Sequence, residues 1–403
     1  MLTNYRAAFR APGSPAFSAA SFIMRFSIAV YPIAFVLLIS IRTGHYSFAG
    51  VLSGIYVFAN GFGNPVLARL VDRHGQSRVL LPATAVHVAA VGAIVTLVQA
   101  GAPDWTLIAP TVICGFAYLS VGSLVRARWS HVLAGRAELT TAYSLESTLD
   151  EVIFTVGPLL ATILATQVDP IVVFVFGGAL VGIGAAWLQR QRATEPPPHE
   201  VGTPRHGSAL RHRGLLLLVA AAGAMGAIFA SAEVTMVAFC GQHGSSGLAG
   251  VPLACFALGS ALSGFVYGSR TRSGNMLTRF RRQALMFAVL PLLFLAAVNI
   301  PVLAGLAFVV GMGIAPTLIT SFGLVEQIVP GAALTEGMAW LTTGLSIGYG
   351  AAAALVGRLA DERGARFAFS VTIGSGLLLG LLAVALHAQL RERVAESHAA
   401  VVS

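Results

Sequence analysis

Lysine is absent. All 25 basic residues in the 403-residue chain are arginine, which excludes Schiff-base chemistry and the lysine of a phosphate-binding loop. Cysteine is scarce: Cys114, Cys240 and Cys255 each lie in or beside an apolar run, with no CxxC spacing and no histidine partner. Neither a disulfide framework nor a metal site is indicated, and small apolar packing residues are the plain reading. Charge is rare as well. Only 10% of residues are charged, against about 25% in soluble globular chains. The net charge of +9 sits in short loops between apolar runs, which argues against a nucleic-acid-binding face. Alternating segments of strand length are missing, so a transmembrane β-barrel is excluded. No nucleophile–base pair, metal cluster or phosphate loop appears, so no enzyme and no cofactor is indicated.

What is present is apolar: 56% of the residues are hydrophobic. A soluble core stops growing at roughly 250–300 residues, so this much apolar sequence points to a bilayer. A spanning helix needs about 20 mostly apolar residues. Twelve runs qualify: 17–41, 47–67, 79–99, 105–127, 140–165, 170–188, 214–238, 247–268, 283–300, 302–323, 337–358 and 367–388. Residues 1–16 hold two arginines but no cleavage site after a short apolar core, so the first run reads as a retained helix. With an inner N-terminus, twenty arginines fall on the inner side, four (Arg42, Arg358, Arg363, Arg366) on the outer side, and Arg25 within the first run. The positive-inside rule then puts both termini in the cytoplasm of a multi-pass cell (inner) membrane protein. Trp105, Trp129 and Trp187 fall near run ends, where aromatic belts sit.

The proline- and charge-rich 189–213 segment is the one long polar stretch and reads as a cytoplasmic linker. It divides the chain into bundles of six helices, 1–188 and 214–403, the second ending in a short cytoplasmic tail. AGV at 49–51 matches AGV at 249–251, and LTTAYSLEST (139–148) aligns with LTEGMAWLTT (334–343). Each match keeps its helix number within its half. The expected fold is all-α integral membrane, twelve transmembrane helices in two pseudo-symmetric six-helix bundles, the architecture of many transporters.

Two polar stretches look alike: ARLVDRHGQSR (68–78) and GRLADERGAR (357–366). The repeat pairs the first with GSRTRSGNMLTR (268–279) instead, leaving the second as shared turn chemistry where a helix leaves the membrane. ARLVDRHGQSR resembles the loop 2–3 signature of the major facilitator superfamily: Gly, three residues, an acid, a base, any residue, Gly, then basic residues. Asp72, Arg73, Gly75 and Arg78 match, and Ala68 replaces the first Gly. Gly157-Pro158, after an acidic first half of the fifth run, resembles the antiporter signature of proton-driven drug exporters in that superfamily. Ala161 and Thr162 stand there in place of the usual paired glycines. The resemblance implies a conformational latch, in which Asp72 faces the N-terminus of helix 11 near Thr335. A helix N-terminus favours an anion by about 0.3–1 kcal/mol.

A charge at the centre of a spanning helix costs about 2.5–3.5 kcal/mol. Arg25 in the first run lies about 12 Å deep, and Asp150 in the fifth about 15 Å, counted at helical rise. Glu146 and Asp150 are spaced i, i+4 and share a face with Gly157, whereas Glu151 points about 100° away. Arg25 is expected to pair with Asp150, or with Glu146. One arginine cannot neutralise three acids, so Arg25, Glu146, Asp150 and Glu151 are candidates for proton coupling, against a static pair that fixes packing. Glu233 in the seventh run could attract a cation, carry a second proton or snorkel to the interface. Tyr56, Asn60 and Asn64 form a polar stripe on the second run, and Tyr31-Pro32 interrupts the first. Both suggest substrate-cavity lining, with interhelical hydrogen bonding the alternative. His87 reads as a packing histidine rather than a proton relay.

The expected partners are a small-molecule substrate, protons and the lipid bilayer; the chain is read as a monomer. The leading expectation is a proton-coupled exporter of small amphipathic molecules. The alternatives are proton-coupled import of a small nutrient and, from another class, a non-transporting membrane sensor or scaffold.

Overall fold

The computed structural model describes residues 2–43, 47–136, 138–198, 208–244, 248–270 and 275–402. Among the described residues there is no strand. The helices are α1 (Leu2–Phe9), α2 (Ser14–Thr43), α3 (Ser47–His74), α4 (Gln76–Gln99), α5 (Ile108–Ala117), α6 (Val121–Val132), α7 (Glu138–Gln167) and α8 (Pro170–Gln189). They continue as α9 (Leu215–Gln242), α10 (Gly250–Gly268), α11 (Met276–Val289), α12 (Ile300–Gly311), α13 (Ile314–Ile328), α14 (Leu334–Arg363) and α15 (Ala365–Val402). Among the described residues, eleven stretches are long and apolar enough to cross a membrane. The remaining expected span is also helical, but Pro291 converts it from α11 into a 3₁₀ turn over Leu290–Ala296. Phe62 and Leu381 are 70% and 69% exposed, a placement suited to lipid rather than water.

Local chemistry sets the helix ends. Asp169, Asn275 and Asn299 each accept a backbone N–H at the start of α8, α11 and α12, satisfying donors that a helix N-terminus leaves orphaned.

Contacts divide the chain into two compact units, 6–139 with 149–205, and 1–5 with 140–148 and 206–403. The linker is thus split, its first part packing with the first unit and its end with the second. The first two turns of α7 go with the second unit as well, because Thr141 Oγ1 donates to the Gly268 carbonyl at 2.7 Å and Ser144 Oγ to that of Gly264. In the first unit Tyr31, Phe35, Tyr56, Ile94 and Phe174 form the apolar core.

The repeat is visible inside each unit. A Cβ on Gly63 would overlap the Phe116 carbonyl and one on Gly115 that of Tyr56, so α3 and α5 touch backbone to backbone. In the second unit Gly259 meets Phe308 and Gly311 meets Phe256 in the same way, joining α10 to α12. Both units also break one span, at Tyr118–Ser120 between α5 and α6 and at Met312–Gly313 between α12 and α13.

The two look-alike stretches form one kind of turn. α3 and α4 are joined by Gly75 alone (φ 86°, ψ 154°), and α14 and α15 by Gly364 alone (φ 85°, ψ 163°). Each glycine N–H bonds the carbonyl four residues back, Val71 at 2.8 Å and Ala360 at 3.0 Å. The 268–279 stretch builds a different connection, with α10 running to Gly268 and Asn275 capping α11.

Candidate functional site

The break in the fourth span needs no proline at its centre. α5 stops at Ala117, and Tyr118 is extended (φ −75°, ψ 113°). Breaking a helix inside a membrane strands carbonyls, each costly unless another donor reaches it. Asn60 of α3 supplies that donor twice, from Nδ2 to the carbonyls of Gly115 (3.2 Å) and Tyr118 (3.0 Å). Asn64 Nδ2 in turn bonds Asn60 Oδ1 at 3.1 Å, fixing the amide's orientation. His87 of α4 places Nδ1 2.8 Å from the Cys114 carbonyl. A carbonyl only accepts, so Nδ1 carries the proton and Nε2 accepts from the Tyr31 hydroxyl at 3.3 Å. Tyr118 is anchored by its own hydroxyl, which donates to the Met24 carbonyl of α2 at 3.1 Å.

Beyond the break, α6 carries a second arginine to the charge site. Arg25 Nη1 lies 2.6 Å from Asp150 Oδ1, and Arg126 Nη2 lies 2.8 Å from Asp150 Oδ2. Each guanidinium is also held by its own helix one turn back: Arg25 by the Ser21 carbonyl at 3.4 Å, Arg126 by the Gly122 carbonyl at 3.2 Å. The arginine side chains are 4% exposed and Asp150 is 30% exposed. One carboxylate therefore accepts from two buried cations on separate oxygens and still faces open space. Charge-assisted bonds of this kind are roughly twice as strong as neutral ones. Through these two contacts the one carboxylate joins α2, α6 and α7.

Sequence reasoning missed Arg126 and Arg128, counting both as inner-side loop charges. They are buried in α6, at 3% and 1% exposure. Two arginines, not one, therefore reach the acids of α7. Glu146, one turn before Asp150, is fully buried, and Glu151 is half-buried. Gly157, two turns after Asp150 on the same face, brings α7 against α2: a Cβ there would lie 2.9 Å from Ala29 Cβ. Pro158 follows within the helix.

The residues expected to line a substrate cavity are placed otherwise. Tyr31 and Tyr56 are 0% and 1% exposed inside the apolar core, where Tyr31 stacks on Phe174. Asn60 and Asn64 are buried at the helix break. Large rings packed on all sides and amides already bonded to backbone leave none of the four facing open space here. Glu233 of α9 is half-buried and accepts the Tyr349 hydroxyl of α14 at 2.7 Å. Glu326 lies in α13 and Glu336 in α14, both just outside the apolar runs 302–323 and 337–358. Buried Glu336 Oε1 accepts from Ser208 Oγ at 2.8 Å and Ala209 N at 3.1 Å, tying down the end of the linker. Trp129 is fully buried against Phe17 rather than in a belt.

In the 2–3 turn, Asp72 is half-buried, Arg73 and Arg78 are exposed, and Gly75 is buried. Beside it, Arg128 joins three elements. Its Nε donates to Gln76 Oε1 (2.6 Å), and Nη1 to the Gln191 carbonyl (2.7 Å) and Thr194 Oγ1 (2.9 Å). Glu195 completes the join by accepting from the Ser77 N–H at 2.8 Å and from the Ser77 hydroxyl.

Comparisons with known proteins bear on the family and the fold. The profile of the Major Facilitator Superfamily matches residues 17–290. No curated protein matches in sequence. Among solved structures, the fold is similar to the human organic anion transporter MFSD10 (TETRAN), with TM-score 0.72 and 16% identity over 93% of this chain and 99% of that one. It is similar to a bacterial homologue of the iron transporter ferroportin, with TM-score 0.73 and 14% identity over 93% and 99%. It is also similar to the E. coli fucose:proton symporter FucP, with TM-score 0.68 and 13% identity over 92% and 98%. The matched profile covers most of the chain, and the helices repeat as two sets of six, so this chain belongs to the major facilitator superfamily and is a multi-pass membrane transporter.

Proposed function

We propose that this transporter couples proton movement to the export of small amphipathic molecules across the cell (inner) membrane, with both termini in the cytoplasm. The observation that supports the reading most is the hold of two buried arginines on one partly exposed carboxylate, Arg25 and Arg126 on Asp150. A proton arriving at Asp150 releases the clasp between α2, α6 and α7, and a proton leaving restores it. Such a switch biases two conformers by differential interaction, which is what a coupled carrier requires. One charge crossing 100 mV supplies about 2.3 kcal/mol, enough to drive an uphill step of moderate size. Gly157 supports the antiporter reading, since its missing side chain lets α7 lie against α2 beside the clasp. In this reading Glu146 and Glu151 complete the proton site, Glu233 faces the substrate path, and Asp72, Arg73, Gly75 and Arg78 form the latch on the cytoplasmic side.

Ethidium accumulation in an efflux-deficient bacterium tests this. Cells with the intact protein should hold less ethidium than cells without it, and either a protonophore or Asp150→Asn should abolish the difference. Unimpaired export by Asp150→Asn would remove the charge site from the mechanism. No effect of the intact protein would overturn broad amphipathic export and leave nutrient uptake as the working reading.

A further inference from the structure

We infer that Asn60 is a positioning residue for the proton site: it holds the fourth span broken at Tyr118–Ser120 and thereby places Arg126 on Asp150. The inference rests on the reading of Arg25, Arg126 and Asp150 as the coupling site. Asn60 touches none of the three in the bonds described above; it acts through the backbone.

An asparagine amide offers two N–H donors and one carbonyl oxygen. Here the two Nδ2 hydrogens are shared among three acceptors, the Tyr118 carbonyl at 3.0 Å, the Gly115 carbonyl at 3.2 Å and Asn64 Oδ1 at 3.3 Å, while Oδ1 takes the Asn64 amide. Both backbone carbonyls belong to the broken segment. In an unbroken helix the Gly115 carbonyl would accept the N–H of Leu119, four residues on, and the Tyr118 carbonyl that of Gly122. Asn60 replaces the donor at Tyr118 and adds to the Tyr118 N–H, which reaches the Gly115 carbonyl at 3.3 Å, so losing the amide favours closing the break. Tyr118 is extended and Ser120 turns back in a tight turn closed by the Val121 N–H on the Leu119 carbonyl at 2.8 Å, so α6 leaves the break on a different path from the continuation of α5. Closing the break would therefore carry Arg126 out of reach of an oxygen now 2.8 Å away and turn it about the helix axis. Asn64 and His87 support the same break, from Asn60 Oδ1 and from the Cys114 carbonyl.

The test reads Asp150 directly and needs no transported substrate. Infrared spectra of the purified full-length protein in lipid nanodiscs identify the Asp150 carboxylate stretch as the band lost in Asp150→Asn. Arg126→Gln should shift that band, because one guanidinium is gone. Asn60→Leu should shift it to the same position, and the double variant should move it no further. A band unmoved by Asn60→Leu, or shifts that add in the double variant, would overturn the inference while leaving the charge site intact. A band unmoved by Arg126→Gln would instead remove Arg126 from the site, and the positioning role with it. If Asn60→Leu does not fold, Asn60→Ala takes its place: it removes both donors without adding a second carboxyl, and carries the same expected shift.

Discussion

Arg126 Nη2 lies 2.8 Å from Asp150 Oδ2, the oxygen that Arg25 does not use. Two cations on one carboxylate make the acid the keystone. Asp150→Ala would leave both buried guanidiniums without it, and breaking a buried pair typically costs 3–5 kcal/mol. Asp150 is 30% exposed, so the expected loss is at the low end, about 3 kcal/mol, read as thermal unfolding of the purified protein in detergent. A triple variant, Arg25→Gln with Arg126→Gln and Asp150→Asn, removes all three charges together and should recover most of that stability while staying inactive in export. Full activity of the triple variant would reduce the site to a packing device.

Gly157 tests whether the approach of α2 to α7 matters. An added methyl would sit 2.9 Å from Ala29 Cβ, and overpacking of this kind typically costs about 1–3 kcal/mol. Gly157→Ala should therefore lower both the unfolding temperature and export. Ala29→Gly in the same chain should restore both, because it reopens the same contact. Failure of that rescue would mean that Gly157 acts in some other way than by packing on Ala29.

Much of this arrangement is legible in the sequence, for identifiable reasons. Spanning runs stand out because a bilayer demands length and apolarity together, and helical rise alone puts Arg25 and Asp150 at similar depth. The opposite holds for Arg126 and Arg128. An arginine pair at the end of an apolar run reads as a positive flank, and burial is decided by what packs around it. A hint was there in VGSLVRARWSHV, where apolar residues and Trp129 continue past both arginines. The break at Tyr118–Ser120 carries no proline or glycine of its own; its stabilising donors come from Asn60 and His87, roughly 60 and 30 residues earlier in the chain. Glu336 was overlooked because it sits one residue before an apolar run, yet the linker's end folds onto it.

Arg128 is expected to hold the start of the linker. Its guanidinium serves acceptors on Gln76, Gln191 and Thr194 at once, a planar fork that a lysine ammonium cannot reproduce. Hydrogen bonds to a charged group contribute roughly 1.5–3 kcal/mol each, though bonds that share one side chain do not add. Arg128→Gln and Arg128→Lys should both speed tryptic cleavage after Arg190 and Arg192 in the purified protein. Protection by lysine equal to that of the native residue would show that charge, not the fork, is what matters.

The twin turns give a matched pair of measurements. Gly75 and Gly364 share a backbone conformation, with positive φ and extended ψ, which is essentially restricted to glycine, and forcing a side chain there costs about 1–3 kcal/mol. Gly75→Ala and Gly364→Ala should each lower the unfolding temperature. The first should do more harm, because its Cβ would lie 2.8 Å from Glu195 Oε1, whereas at Gly364 the nearest atom, Gln242 Nε2, is 3.4 Å away. Strain and crowding then separate in one background. With Glu195→Ala already in place the crowding at residue 75 is gone and only the strain remains, so the two alanine substitutions should cost the same. If Gly75→Ala is harmless in both backgrounds, the chain does not adopt this turn in solution. If its excess cost survives Glu195→Ala, something other than the linker presses on the turn, and the join between the 2–3 turn and Glu195 is not what makes residue 75 intolerant.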